Sequence, residues 1–321
     1  MGSYISFLAV FCGIFSSMQK IKAWIAAARL RTLPLSVSGI IVGASLGLGS
    51  LKVIDPLAIW ETPIFWLAIL TTIGFQVLSN FANDYGDGVK GTDAHRKGEK
   101  RMVASGFISP KQMKLGMTVT AIITLFIASL LIFMAFGNEH YIIAFIFFNL
   151  AIASVIAAIK YTVGKSAYGY SGFGDLFVFI FFGMVSVMGS HFLFTKTIEW
   201  DIILPAISVG LFSTAVLNLN NMRDIENDTA SGKHTIVVKM GSAKAKKYHY
   251  FLLLFGMICA LGYTLLNYHS PKQYLYALAF IPFALNIRKV VRNQKPELLD
   301  SELKKVALST FAFAILFGWL H

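Results

Sequence analysis

Two polar stretches hold the residues that could do chemistry. The first, residues 80–106, reads NFANDYGDGVKGTDAHRKGEKRMVASG and sets Asp84, Asp87 and Asp93 among Lys90, Arg96, Lys97, Lys100 and Arg101. The second, residues 220–241, reads NNMRDIENDTASGKHTIVVKMG. In each, Asn precedes Asp at helical spacing: Asn80 before Asp84, and Asn220 and Asn221 before Asp224. That spacing puts the side-chain oxygens on one helix face, and Asp87 and Asp228 extend those faces. Converging carboxylates repel one another, and some stay protonated unless cations lie between them. Carboxylate and amide oxygens favour Mg²⁺ over zinc or copper, and the seven His share no ligand spacing. Mg²⁺ keeps waters and takes substrate phosphates as further ligands. The expected metal set is Asn80, Asp84, Asp87, Asn221, Asp224 and Asp228, and the expected substrate carries a diphosphate.

The elements that must position these residues are membrane helices. Hydrophobic residues make up 56% of the 321 and charged residues 14%, against roughly 25% charged in soluble domains. A spanning helix needs about 20 mostly apolar residues. Nine runs qualify, near 34–51, 63–82, 112–136, 141–159, 174–194, 202–221, 248–267, 273–290 and 304–320. The expected class is therefore all-α and polytopic, with polar inner loops at 83–111 and 222–247. The net charge of +12 does not point to nucleic acid. With nine spans and a cytoplasmic N-terminus, every Lys and Arg except Lys52, Lys196 and Lys272 falls on the inner face, as the positive-inside rule requires. Both acidic stretches fall on that side as well.

Residues 1–17 are apolar but too short to span, and they lack the basic start of a secretory signal. They read as an over-extended start ahead of Met18, leaving 18–321 as a single transmembrane domain. Pro34 fits the first turn of the first span. Gly39, Gly43 and Gly47 form a stripe for close helix approach. The Gly86–Gly88 and Gly172–Gly174 pairs follow no strand, so they are no dinucleotide fingerprint and read as flexible loop backbone. Tyr168 and Tyr170 read as part of the interfacial aromatic belt.

NDYGDGVKGTD with RMVASG, YTVGKSAYGYSGFGD and NNMRDIENDTASGKHT resemble the signatures of the UbiA superfamily of intramembrane aromatic prenyltransferases. ARLRTLP resembles the N-terminal pattern of its naphthoate branch, so the likeness runs from Met18 onward. In the broader superfamily the second Asp of the first motif often follows the first by four; here position 88 is Gly and Asp87 follows by three. Asp87 and Asp93 both stay open as metal ligands.

The resemblance implies Mg²⁺-dependent transfer of a polyprenyl group from polyprenyl diphosphate to 1,4-dihydroxy-2-naphthoate. Loss of CO₂ and diphosphate would give demethylmenaquinone, at the cytoplasmic side of a bacterial inner membrane. Lys165, Arg101 and Lys233, then Lys90 and Arg223, are the expected diphosphate ligands. Tyr161, in a Tyr-x-x-x-Lys pattern with Lys165, would offer a π face to the allylic cation. Asp84, Asp87, Asp224 and Asp228 would act in catalysis through the metal, and Arg31 or Arg29 would hold the aromatic acid. The same fold acting on 4-hydroxybenzoate, homogentisate or a chlorin is the near rival. A cation transporter is a rival of another class, although transport sites lie near the bilayer midplane and these acids lie at helix ends. A non-catalytic lipid-binding or scaffold protein is the third. No protein partner is inferred.

Overall fold

The computed structural model describes residues 18–52, 56–92, 101–164 and 167–321. Among them, nine segments are long and apolar enough to cross a membrane, and no strand occurs. They run Met18–Ser50, Pro63–Lys90, Pro110–Phe136, Tyr141–Lys160, Gly174–Thr195, Trp200–Arg223, Ile236–Leu266, Pro271–Arg292 and Pro296–Leu320, and are called the first to ninth spans. The all-helical expectation therefore holds. Residues 1–17 lie outside the described residues.

Two of the spans outrun their apolar cores, and the second span carries the chemistry with it. The second continues through the acidic motif to Lys90, where Gly91 at φ 71° closes it. The 83–90 stretch is thus helix and not loop. The seventh begins at Ile236, capped by the Thr235 hydroxyl, and is kinked at Gly241 (φ 77°, ψ 161°). A left-handed φ of that kind is cheap only for glycine.

The sixth span is the core of the assembly, with 78% of its apolar window buried, while the fourth faces outward with 6%. The sixth packs on the fifth, seventh and ninth, and the first packs on the fifth and ninth. The largest apolar cluster forms there, around Phe212, Tyr276, Phe283, Phe313 and Phe317. A second cluster ties the leading helix, through Ala23 and Ala27, to Leu78 and Phe81 of the second span and to Met102 and Val103.

The glycine stripe does what its spacing predicts. A Cβ at Gly39 would lie 2.7 Å from the Phe182 carbonyl oxygen, and one at Gly43 would lie 2.1 Å from that of Val187. Backbone cannot yield there, so the first and fifth spans meet at glycine distance.

Candidate active site

The 80–90 turn of the second span is positioned by close approach. A Cβ on Gly86 would meet the Thr162 carbonyl oxygen at 2.8 Å, and one on Gly88 would meet the Val103 side chain at 2.7 Å. These helical glycines admit two neighbouring segments and are not flexible loop. Thr162 donates its hydroxyl to the Ala82 carbonyl (2.9 Å), and the Lys90 ammonium donates to the Thr162 carbonyl (3.0 Å).

Asp87 is the hub. It is buried, and its Oδ2 accepts from the Arg101 guanidinium at 2.7 Å. Its Oδ1 accepts from the Tyr170 hydroxyl at 2.6 Å, the Lys233 ammonium at 3.1 Å and the Thr92 hydroxyl at 3.1 Å. Lys233 also lies 3.7 Å from Asp228, so one ammonium bridges a carboxylate from each acidic stretch. Two further ties close the junction: Asn227 Nδ2 and the Ser231 hydroxyl both donate to the Thr92 carbonyl at 3.1 Å. The ends of the second and sixth spans therefore meet on one side of the helical assembly.

The cavity between them holds about 190 Å³ and is lined by Asn83, Asp87, Arg101, Tyr161, Asn221, Asp224, Asp228 and Lys233, with the half-buried Arg29 and the exposed Arg31 at its rim. Arg29 adopts the left-handed region (φ 50°, ψ 58°), uncommon for a non-glycine residue. That turn lies within the first span, between its leading helix at 18–28 and the helix Leu33–Ser50, and it brings both arginines to the cavity.

Several expected residues are placed otherwise. The Asp84 carboxylate is buried and accepts from the Met102 N–H (2.9 Å) and the Val103 N–H (2.8 Å), so it clamps the 101–106 turn. Asn80 donates to the Ala28 carbonyl (2.9 Å) and the Thr32 hydroxyl (3.2 Å), anchoring the leading helix. Neither lines the polar cavity; Asn83, one residue before Asp84, does. Arg223 is paired with Asp224 at 2.7 Å and Asp300 at 2.5 Å and also donates to Asn220, so it braces the sixth span against the ninth. Lys90 is lodged on Thr162 with its ammonium 4.0 Å from the Tyr170 ring centroid. Lys165 and Asp93 lie outside the described residues.

Sequence reasoning missed Asn83 and Tyr170. Asn83 stands four before Asp87, the same signal that picked out Asn80 and Asp84. Tyr170 carries no motif of its own; its hydroxyl on Asp87 and its ring beneath two ammonium groups become visible only in the fold.

An apolar cavity of about 470 Å³ opens from the same place and shares Gln76, Asn83, Tyr161 and Phe182 with the polar one. Aromatic rings step along its wall. Tyr161 meets Tyr168 edge-on at 5.3 Å, Tyr168 stacks on Phe177 at 3.9 Å, and Phe177 on Phe181 at 6.1 Å. Burial, with Asp175 adding to it, raises the Tyr161 hydroxyl well above the ordinary phenol range. It stays protonated and presents a ring and a neutral O–H.

The donor set fits Mg²⁺. Carboxylates and side-chain amides line the same cavity, and one ammonium already bridges two of the carboxylates. Among the described residues no three Asp, Glu, His or Cys side chains close on one point. The amide oxygens and a bound diphosphate would have to complete any shell, which is how Mg²⁺ is ordinarily held.

Comparison with known proteins agrees with this architecture. Residues 36–308 match the family model described as the UbiA prenyltransferase family. The 1,4-dihydroxy-2-naphthoate octaprenyltransferase of Haemophilus influenzae is 39% identical over 307 residues, 94% of this chain and 96% of that protein. The protein of the same name from Escherichia coli is 38% identical over 93% of this chain and 96% of its own length. A UbiA homologue from Archaeoglobus fulgidus, solved with GPP and Mg²⁺, superposes with a TM-score of 0.63 at 14% identity. It covers 92% of this chain and 99% of its own, a likeness of fold.

Proposed function

The chain belongs to the UbiA prenyltransferase family, and from that premise we propose that it transfers a polyprenyl group from polyprenyl diphosphate to 1,4-dihydroxy-2-naphthoate. The observation that carries the reading is the junction of Asp87 and Asp228 on Lys233, with an apolar cavity opening beside it. A diphosphate head needs the first and an isoprenoid tail needs the second. The naphthoate acceptor is supported by the relatives, whose names specify it over nearly the full chain length.

Mg²⁺, when bound, supplies charge neutralisation that makes diphosphate a better leaving group. Asp87, Asp224 and Asp228, with Asn83 and Asn221, are the residues that would hold it. Arg101 and Lys233 already stand against Asp87 and are placed to take the leaving oxygens as they form. Tyr161, at the seam of the two cavities, faces the allylic carbon as its bond to oxygen breaks, and its ring stabilises the positive charge. The apolar wall keeps water from that cation. Arg29 and Arg31 hold the naphthoate carboxylate at the rim. The new carbon–carbon bond forms at the ring carbon bearing that carboxylate. The carboxylate then departs as CO₂, leaving its electron pair in the ring and releasing demethylmenaquinone as its quinol. No proton is consumed. The site faces the cytoplasm in this reading, because the basic residues gather at that end, and the membrane is a bacterial inner one.

The reading is tested by mass spectrometry of the product formed from dihydroxynaphthoate and octaprenyl diphosphate. A prenylated, decarboxylated product that disappears with EDTA and returns with Mg²⁺ is expected. Prenylation of 4-hydroxybenzoate in its place would overturn the acceptor.

Tyr161 separates ring from hydroxyl. Tyr161→Phe should keep activity within about threefold, whereas Tyr161→Ala should lose about 30-fold in kcat, the worth of a desolvated cation–π contact. Steady-state kinetics of the two variants checks this.

A further inference from the structure

Two apolar cavities meet along the fifth span. The larger begins at the acidic junction. A second of about 290 Å³ lies at the opposite end, between Ile143, Ile146, Phe192, Ile198 and Ile202. Phe147 and Gly189 belong to the walls of both. The Phe147 ring stacks on Phe192 at 5.7 Å and tilts against Phe136 at 5.0 Å, so it stands braced between the two spaces.

Gly189 is the more telling of the pair. Its dihedrals are helical (φ −63°, ψ −46°), yet a Cβ there would meet nothing within 4 Å. Every other described glycine with helical dihedrals in a span has a neighbour within that distance. A glycine inside a helix sacrifices stability relative to alanine because its unfolded state is freer. At Gly39, Gly43, Gly183 and Gly210 close packing explains it; at Gly189 only open space does. The preceding π-helical stretch, Phe179–Met188, widens the helix along the same wall, and such stretches gather at functional sites.

We propose that Phe147 and Gly189 form a partition through which the far end of the donor's isoprenoid chain passes into the second cavity. The partition thereby sets the chain length the enzyme accepts. This rests on the prenyl-transfer reading above. From Phe177, beside the reacting end, to Gly189 the helix rises at most about 18 Å, less through its π-helical stretch, so a short donor ends before the partition and a long one crosses it. The second cavity is walled mainly by aliphatic and aromatic side chains, with His191, Thr197 and Glu199 the polar members of its lining, and a surface of that kind suits the isoprenoid tail better than the diphosphate or the aromatic acid.

The test uses full-length protein in lipid vesicles, with geranyl and octaprenyl diphosphates and dihydroxynaphthoate as common acceptor. Gly189→Leu fills the opening; kcat/KM with octaprenyl diphosphate should fall at least tenfold while the value with geranyl diphosphate stays within about twofold. Phe147→Ala enlarges the opening and should shift the ratio toward the long donor, which keeps the proposal testable if Gly189→Leu does not fold. An unchanged ratio in both variants, or equal loss on both donors, would overturn the partition while leaving the reaction standing. Wild-type protein that transfers neither donor would remove the reaction, and the partition with it.

Discussion

Asp87→Asn should cut kcat for prenyl transfer by about 10³-fold, near the upper end for losing one preorganised electrostatic group. The substitution keeps the shape and removes the charge. Asp87 meets Arg101, Lys233 and Tyr170 at once, so one carboxylate organises donors from three parts of the chain. In the proposed reaction it also supplies part of the metal's charge balance. In the variant, Arg101 and Lys233 stand against a neutral amide and keep their own positive charge for the diphosphate, so diphosphate affinity should fall much less than turnover. Steady-state kinetics with varied donor shows the split: a large fall in kcat with a modest change in KM is expected. Circular dichroism should be unchanged.

Asp84→Ala should do the opposite and unfold more than it inactivates. Its two oxygens accept the Met102 and Val103 N–H groups inside a buried cluster. Alanine strips both donors of partners where water does not replace them, at about 1–3 kcal/mol each. The expected result is a loss of about 2–6 kcal/mol, read as a lowered unfolding midpoint in detergent. Because the 101–106 turn carries Arg101, KM for the donor should rise as well. An Asp84→Ala protein as stable as wild type but without activity would place Asp84 among the groups acting on substrate.

The contrast between these neighbours marks how far the sequence could be read. Nine spans, the two acidic stretches and their meeting were legible, because apolar length and charge distribution are one-dimensional signals. Which Asn–Asp pair faces the cavity was not. Asn80–Asp84 and Asn83–Asp87 have the same spacing on one helix, offset by three residues and therefore by about 60°. Phe81, Ala82, Tyr85 and Val89 mark the apolar face and both pairs lie on the polar face opposite, so the pattern alone left the rotation between them open. It is fixed by Gly86 and Gly88, which admit Thr162 and Val103 from distant parts of the chain. Arg223 was misjudged for a similar reason. Its partner Asp300 lies 77 positions away, at the start of the ninth span. Tyr170 reads only as an interfacial ring because the groups it meets, Asp87 and Lys90 on the second span and Lys233 beyond the sixth, lie far from it in sequence.

The claim on which the account turns is that the second and sixth spans act on one diphosphate through one shared centre. A double-mutant cycle in kcat with Asp87→Asn, Asp228→Asn and the double variant tests it most directly. Groups that work as a unit are strongly non-additive, so the double variant should be hardly slower than the slower single one. Losses that multiply, leaving the double variant slower by the product of the two single effects, would contradict a shared centre.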